Sequence, residues 1–247
     1  MSKNDSENSK KTLFLDIGNS SIKVAFRNNN AWEKSTNNFK SVTYLISWLN
    51  QHKDSIQDLV VASVRKDHFE LLKNQVTEFE IKNIEISEVP EHNLNYETPK
   101  TLGIDRFLGC LGAYAQEKQS VVVVDAGSAC TIDIMNENGV YQGGVIMPGL
   151  QSILNIFKTS APELPTIETE IPTKFPGKST AESLQWGQVA FFVDGINASL
   201  KRYQESFGDF SLYLTGGDAS AISKLISMNS KRDEFLIFKG MEAFIRG

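Results

Sequence analysis

The chain has 247 residues, 40% of them apolar and 10% aromatic, which is enough for one large α/β domain or two of roughly 120 residues each. Lys and Arg total 25 against 30 Asp and Glu, a formal net charge of −5. That balance lacks the basic footprint of a nucleic-acid or anionic-membrane binder. The two cysteines, Cys110 and Cys130, form neither a disulfide framework nor a C-x-x-C metal pair, which suits a reducing compartment.

Residues 1–11 are polar, with no apolar core of a secretory signal, and are expected to be a short disordered tail. No apolar stretch approaches the roughly 18 residues of a membrane span, so a cytoplasmic protein is expected. The apolar run 13–15 leads into Asp16-Ile17-Gly18-Asn19-Ser20-Ser21, and a second extended run, 22–26, follows at once: strand, polar turn, strand. Ser41 opens a segment with Val42, Leu45, Ile46 and Leu49 at helical spacing. Residues 59–62 read as a buried strand, 69–79 as a helix and 81–86 as a strand. This alternation favours an α/β layer architecture.

A loop holding Pro90 and Pro99 precedes an amphipathic helix over about 104–115, and a boundary falls near 117–120. Four valines then run into Asp125-Ala126-Gly127-Ser128, with another extended run, 131–135, behind them. The opening pattern has recurred, so Asp16 and Asp125 occupy equivalent places in two related halves, 12–118 and 119–247. The second half continues with a glycine-punctuated strand, 141–149, a Pro-rich loop over 162–176 and a long helix from about 179 to 206. A short strand at 212–214 enters Thr215-Gly216-Gly217-Asp218-Ala219 and a helix, and 235–238 reads as a closing strand.

The two Asp-x-Gly turns are the sharpest feature. Glycine lets a ligand approach the backbone, and successive N–H groups in such a turn form an anion-binding concavity. Asn19, Ser20, Ser21 and Ser128 add donors suited to phosphate, and Lys23 a point charge. The carboxylates would repel phosphate unless a cation stood between, so Asp16 and Asp125 suit cation-linked roles. Two ordinary hairpins whose Asp side chains satisfy local N–H groups are the plainer alternative. The 215–219 turn is either a shelf for a base or ribose, or a helix start capped near Asp218. At Gly103-Ile104-Asp105-Arg106, a helix start offers a candidate base beside a cationic fork for a carboxylate-bearing substrate. Alternatively Asp105 caps the helix and Arg106 meets a surface acid. Tyr96, just upstream, is a binding contact or a packing anchor.

Gly177-Lys178-Ser179-Thr180 imitates the end of a phosphate-binding P-loop, but Pro172 stands where the motif needs its first glycine. A capping box, Ser179 with Glu182, is the better reading. His52, His68 and His92 are scattered without metal-ligand spacing, and no G-x-S-x-G elbow occurs.

Taken together, 16–19, 103–106, 125–129, the run Gly143-Gly144 to Met147-Pro148-Gly149, and 215–219 resemble, in order and spacing, the type III pantothenate kinase family. The resemblance covers about residues 12–246. It implies an α/β fold of two duplicated ribonuclease-H-like (actin-like ATPase) domains with a cleft between them, and ATP-dependent phosphorylation of pantothenate, the first step of coenzyme A biosynthesis. By the same resemblance, Asp16, Ile17, Gly18, Asn19, Ser20, Ser21, Ile22 and Lys23 form the first phosphate loop, and Ser128 contacts ATP from the second. Tyr96, Gly103, Ile104, Asp105, Arg106 and Thr180 bind pantothenate, and Asp105 is the catalytic base. Asp125 holds a monovalent cation, K+ or NH4+, Mg2+ accompanies the nucleotide, and a homodimer completes the active site. Ser128 departs from the usual threonine but keeps the hydroxyl. Another small-molecule kinase of the same superfamily, or a non-catalytic nucleotide-binding regulatory protein, are the alternatives.

Overall fold

The computed structural model describes residues 10–37 and 39–247. Of the expected tail, residues 1–9 lie outside the described residues, and Lys11 already opens the first strand. Strands β1 (Lys11–Ile17), β2 (Ile22–Asn28) and β3 (Ala31–Lys34) form a meander. In helix α1 (Val42–Gln51) the Ser41 hydroxyl accepts the Tyr44 N–H at 3.2 Å, and Val42, Leu45, Ile46 and Leu49 make the buried face. Then come β4 (Ile56–Ser63), α2 (Lys66–Gln75) and β5 (Glu80–Ile84), so the helix expected over 69–79 begins and ends a few residues earlier. The sheet order is β3-β2-β1-β4-β5, with β1 antiparallel to β2 and parallel to β4.

After α3 (Ile104–Glu117), the strands β6 (Val121–Ala126), β7 (Ala129–Met135) and β8 (Tyr141–Pro148) repeat the meander. Helices α4 (Leu150–Asn155) and α5 (Phe157–Ser160) and a long loop lead to α6 (Thr180–Gln185). One π-helical turn, Trp186–Ala190, joins α6 to α7 (Phe191–Phe207), so the helix expected over 179–206 carries a π-bulge. The chain closes with β9 (Ser211–Thr215), α8 (Ala219–Ile222), β10 (Lys231–Arg232) and α9 (Leu236–Arg246). Read from its β8 edge, the second sheet runs β8-β7-β6-β9-β10, the first sheet's order with every strand advanced by five. The duplication inferred from the two Asp-x-Gly turns is therefore carried by the topology of both sheets.

The expected final strand at 235–238 is instead the start of α9. Its apolar run does not stop at Phe238: Leu236, Gly240 and Met241 are buried along one helical face and Phe244 packs against the same core. A four-residue apolar run alone cannot separate strand from helix.

Strand alternation sorts the side chains into layers. Leu13, Leu15 and Ile17 of β1 face outward and pack with Leu45, Leu49 and Leu72 under α1 and α2. Val122, Val124 and Ala126 of β6 likewise face Leu150, Phe192 and Ile196 of α4 and α7. The alternate residues, Phe14 of β1 and Val121 and Val123 of β6, share an inner core with Phe107 and Leu108 of α3 and Leu236 and Met241 of α9. Helices α3 and α9 thus lie between the sheets. By the same alternation Asp16 and Asp125, the last inward-facing position of each central strand, both point into the space between the lobes.

α3 and α9 touch backbone to backbone. A Cβ on Gly240 would stand 1.9 Å from the Leu108 carbonyl oxygen, and one on Gly112 would stand 2.0 Å from the Leu236 carbonyl oxygen. A methyl group at either place must pry the helices apart. At Gly109, one turn away, the nearest atom to an added Cβ is 4.0 Å off. Gly240→Ala is expected to lower stability by about 2–4 kcal/mol, whereas Gly109→Ala is neutral or stabilising by up to ~1 kcal/mol through helix propensity. Urea unfolding of the two variants checks this, and equal midpoints would remove the close crossing as a constraint.

Candidate active site

The inward end of each central strand turns sharply. At the first corner the Gly18 N–H donates to the Ser21 carbonyl at 3.1 Å, so four residues join the paired ends Ile17 and Ile22. At the second the Gly127 N–H donates to the Ala129 carbonyl at 3.1 Å, and three residues join Ala126 to Cys130. One residue strand-inward of each corner stands the aspartate. Its cross-strand partner differs between lobes: Lys23 faces Asp16, with Nζ 3.4 Å from Oδ2, while the neutral Thr131 faces Asp125.

Both corners line one cavity of about 430 Å3, within the size range of small-molecule sites. Asp16, Gly18, Asn19, Ser20, Ser21 and Lys23 come from the first lobe, and Asp125, Gly127, Ser128 and Thr131 from the second. Thr215, Gly217 and Asp218 close it from the β9–α8 turn, and Asp105 and Arg106 enter from the start of α3. Asp218 does not cap α8 with its side chain; it accepts from Gln151 Nε2 at 3.3 Å. Ile17, Ile22 and Ile104 have buried side chains in the hydrophobic core, so they can offer a ligand only backbone. Gly103 is the N-cap residue of α3 and lies against the Asp105 carboxylate.

Tyr96 and Thr180 are not among the cavity-lining residues. Tyr96 packs edge-on against Tyr141, with ring centroids 5.9 Å apart, and is a neighbour of Arg106. Thr180 is exposed at the first position of α6. There the Ser179 hydroxyl accepts the Glu182 N–H at 3.2 Å, while Glu182 accepts the Lys178 N–H at 2.6 Å. The segment is a helix cap and not a phosphate loop, as its spacing implied. The plainer expectation for Arg106 does not hold: its partner is not a surface acid but the buried Asp133.

Six carboxylates line the cavity (Asp16, Asp105, Asp125, Asp133, Asp218 and Glu234) against two cations, Lys23 and Arg106. The crowding shows in protonation. Burial, then Asp16, Asp125 and Asp133, push Asp105 from the ordinary 3.8 up to about 6, against the pull of the Arg106 N–H, which donates to its Oδ1 at 2.9 Å. Burial likewise raises Asp125, with Lys23 opposing. Lys23 is raised by Asp16 first, against its own burial, and further by Asp125 and Asp105. The three carboxylates and the lysine act on one another across the cavity.

This arrangement accepts a polyanion only together with cations. Among the described residues no three His, Cys, Asp or Glu side chains converge as a metal cage. Mg2+ characteristically takes one or two carboxylates with phosphate oxygens and water instead, so the donor set fits a metal arriving with a phosphorylated ligand. Asp133, Gln151 and Glu234 are polar cavity-lining residues that motif reading passed over, and Asp133 alone left a signal. The signal was a lone acid inside the apolar strand Ile132-Asp133-Ile134, where a carboxylate must find partners.

Cys110 and Cys130 are free and buried. None of the histidines lines the cavity, and no helix among the described residues is long and apolar enough to cross a membrane.

The profile of the type III pantothenate kinase family matches residues 12–202. A type III pantothenate kinase of Flavobacterium johnsoniae is 35% identical over 217 residues, covering 86% of this chain and 88% of the relative. Among solved structures, one described as a Baf family transcriptional activator from Campylobacter jejuni aligns with a TM-score of 0.66 at 28% identity, covering 95% of this chain and 97% of the other. An archaeal actin homologue aligns at 10% identity with a TM-score of 0.52 over 96% and 100% of the two chains, which shows the actin-like fold. With the family profile spanning most of its length, this chain belongs to the type III pantothenate kinase family.

Proposed function

We propose that this chain phosphorylates pantothenate from ATP, the first step of coenzyme A biosynthesis, with Asp105 as the catalytic base. The observation that carries the assignment of roles is the meeting of both acidic corners and the α3 start in one cavity. The corner over 16–23 and Ser128 would cradle the triphosphate with backbone N–H groups, hydroxyls and Lys23. Arg106 and Tyr96 would take the substrate end, with Gly103 and Ile104 contributing backbone.

In this reading the primary hydroxyl of pantothenate attacks the γ-phosphorus. Its proton passes to Asp105, the bond from the γ-phosphorus to the bridging oxygen breaks, and ADP leaves with that oxygen. A carboxylate whose protonation is raised to about 6 is a better base near neutrality than an ordinary one. Mg2+ with the phosphates, and a monovalent cation at Asp125, would offset negative charge. Asp125 suits the second role because its cross-strand partner is neutral, whereas Asp16 already faces Lys23.

Two further features support a homodimer. Ile146 is 63% exposed on the edge strand β8. It stands opposite Thr131, so it extends the cavity side of the sheet, and Thr180 lies outside its own chain's cavity. We read the exposed apolar edge as the dimer contact and Thr180 of the partner subunit as the group that completes the pantothenate site. The two sheets then act as two domains meeting near residues 118 and 119, in a cytoplasmic enzyme. A regulatory role, the alternative raised by the description of the Campylobacter jejuni neighbour, is disfavoured by the intact acid at Asp105 and the formal charge of −5.

Asp105→Asn tests the base. In a coupled ADP-release assay, kcat is expected to fall by about 10²–10⁴. The pH dependence carries a sign. Folded Asp105 holds its proton to about 6 and the unfolded chain only to 3.8, so stability falls as pH rises through that window. At pH 7, removing the charge should therefore raise stability by about 1–2 kcal/mol, allowing for partial exposure. At saturating ATP, Mg2+ and K+ the wild-type acid limb of kcat/KM for pantothenate should lie below the ligand-free value of about 6, because the bound cations draw Asp105 down. Near-normal turnover of Asp105→Asn with intact folding would remove Asp105 as base.

The cation site predicts that turnover rises with K+ at constant Mg2+ and that Asp125→Asn abolishes this dependence. A response to K+ that survives Asp125→Asn would place the cation elsewhere. For the dimer, Ile146→Glu should give a monomer by sedimentation with a raised KM for pantothenate and an unaltered KM for ATP. A fully active monomer would contradict the shared site.

A further inference from the structure

Arg106 is tethered from behind. Its Nε and Nη2 donate to Oδ1 of Asp133 at 3.0 and 2.6 Å, and the Tyr141 hydroxyl donates to the same oxygen at 2.7 Å. The tether is dry: the Asp133 side chain is 2% exposed and that of Arg106 9%. Tyr141 is fully buried, and the guanidinium carbon sits 6.0 Å from the centroid of its ring. Room for the tether is made in the neighbouring strand, because a Cβ on Gly144 would lie 2.1 Å from Asp133 Oδ1 and 2.8 Å from Arg106 Nη2. The glycine pair Gly143-Gly144, noted in the sequence for its punctuation, thus has a physical reason in its second member.

We infer that Asp133 is a positioning residue for substrate binding: with Tyr141 and the space left by Gly144, it pins Arg106 so that the free edge of its fork faces the pantothenate end of the cavity. This rests on the reading of Arg106 as a substrate contact. A guanidinium has five N–H donors in a rigid plane, and two held by Asp133 leave three in a fixed orientation for a carboxylate. Without that anchor, Arg106 stands beside another acid, its sequence neighbour Asp105, and the same fork could close on the proposed base. The role goes beyond filling the core, since a charged pair so buried is seldom the most stabilising way to fill a core.

Asp133→Asn keeps the shape and an acceptor oxygen while removing the charge that holds the fork. In the coupled ADP-release assay, its KM for pantothenate should rise about tenfold, the effect of losing one charge-assisted contact. Its KM for ATP should stay within about twofold, because the phosphate corners are untouched. Gly144→Ala, which alters no charge, should shift the pantothenate KM in the same direction. If Asp133 acts through Arg106, Asp133→Asn adds nothing to Arg106→Gln, so the double variant has the pantothenate KM of Arg106→Gln alone. An unchanged pantothenate KM in Asp133→Asn, or both KM values rising together, would overturn the positioning role, as would full additivity in the double variant. Should Asp133→Asn fail to fold, Gly144→Ala and Tyr141→Phe decide the matter by the same two KM values. An Arg106→Gln variant with an unchanged pantothenate KM would instead overturn Arg106 as the contact, and the proposal with it.

Discussion

Carboxylates crowd one cavity faster than the chain supplies cations, and most of the site's behaviour follows from that imbalance. Asp16 and Asp125 are the last inward-facing residues of two equivalent central strands, and α3 and α9 hold those strand ends toward each other. Asp105 joins them from the start of α3. Six acids and two cations line the space. Such a cavity raises the proton affinity of Asp105 and Asp125 and favours ligands that bring positive charge. A nucleotide triphosphate escorted by metal is such a ligand. Burial and the facing acids thus lift the Asp105 carboxyl from the ordinary 3.8 to about 6.

The duplicated halves have parted chemically while keeping their topology. Strand order and the parallel and antiparallel pairings repeat, with β1, β2 and β4 matched by β6, β7 and β9. The register position opposite the aspartate does not: Lys23 in one lobe, Thr131 in the other. One corner carries its own counter-charge, and the other faces a neutral threonine. Two positions farther along β7 the second lobe holds Asp133, which pairs with Arg106 of α3.

Much of this was legible in the sequence because the informative residues sit at strand ends, where chemistry and local structure coincide. Each Asp-x-Gly corner announces a turn and a carboxylate together, and the valine run before Asp125 can only be a buried strand. Legibility failed where a short apolar run lacked context. Residues 235–238 fit a strand until Met241 and Phe244 are placed on the same helical face. The strands β3 and β10 were missed because Ala31–Lys34 and Lys231–Arg232 carry no clear alternation. Asp133 was missed because its meaning is tertiary: Arg106, Tyr141 and Gly144 lie 27, 8 and 11 positions away in sequence and meet only once β7, β8 and α3 pack. Thr180 was assigned by resemblance, and it does not line the cavity of its own chain.

The carboxyl carbon of Asp105 can be followed directly by 13C NMR in protein labelled at aspartate, with the Asp105→Asn variant identifying the resonance. The account predicts a midpoint near 6 in the free protein, raised by burial and by the facing aspartates, and a fall toward the ordinary carboxylate range when Mg2+, K+ and a non-hydrolysable ATP analogue enter. A resonance that titrates near 4 in the free protein and ignores the added ligands would mean that the three acids do not share one cavity, and the central claim would be contradicted.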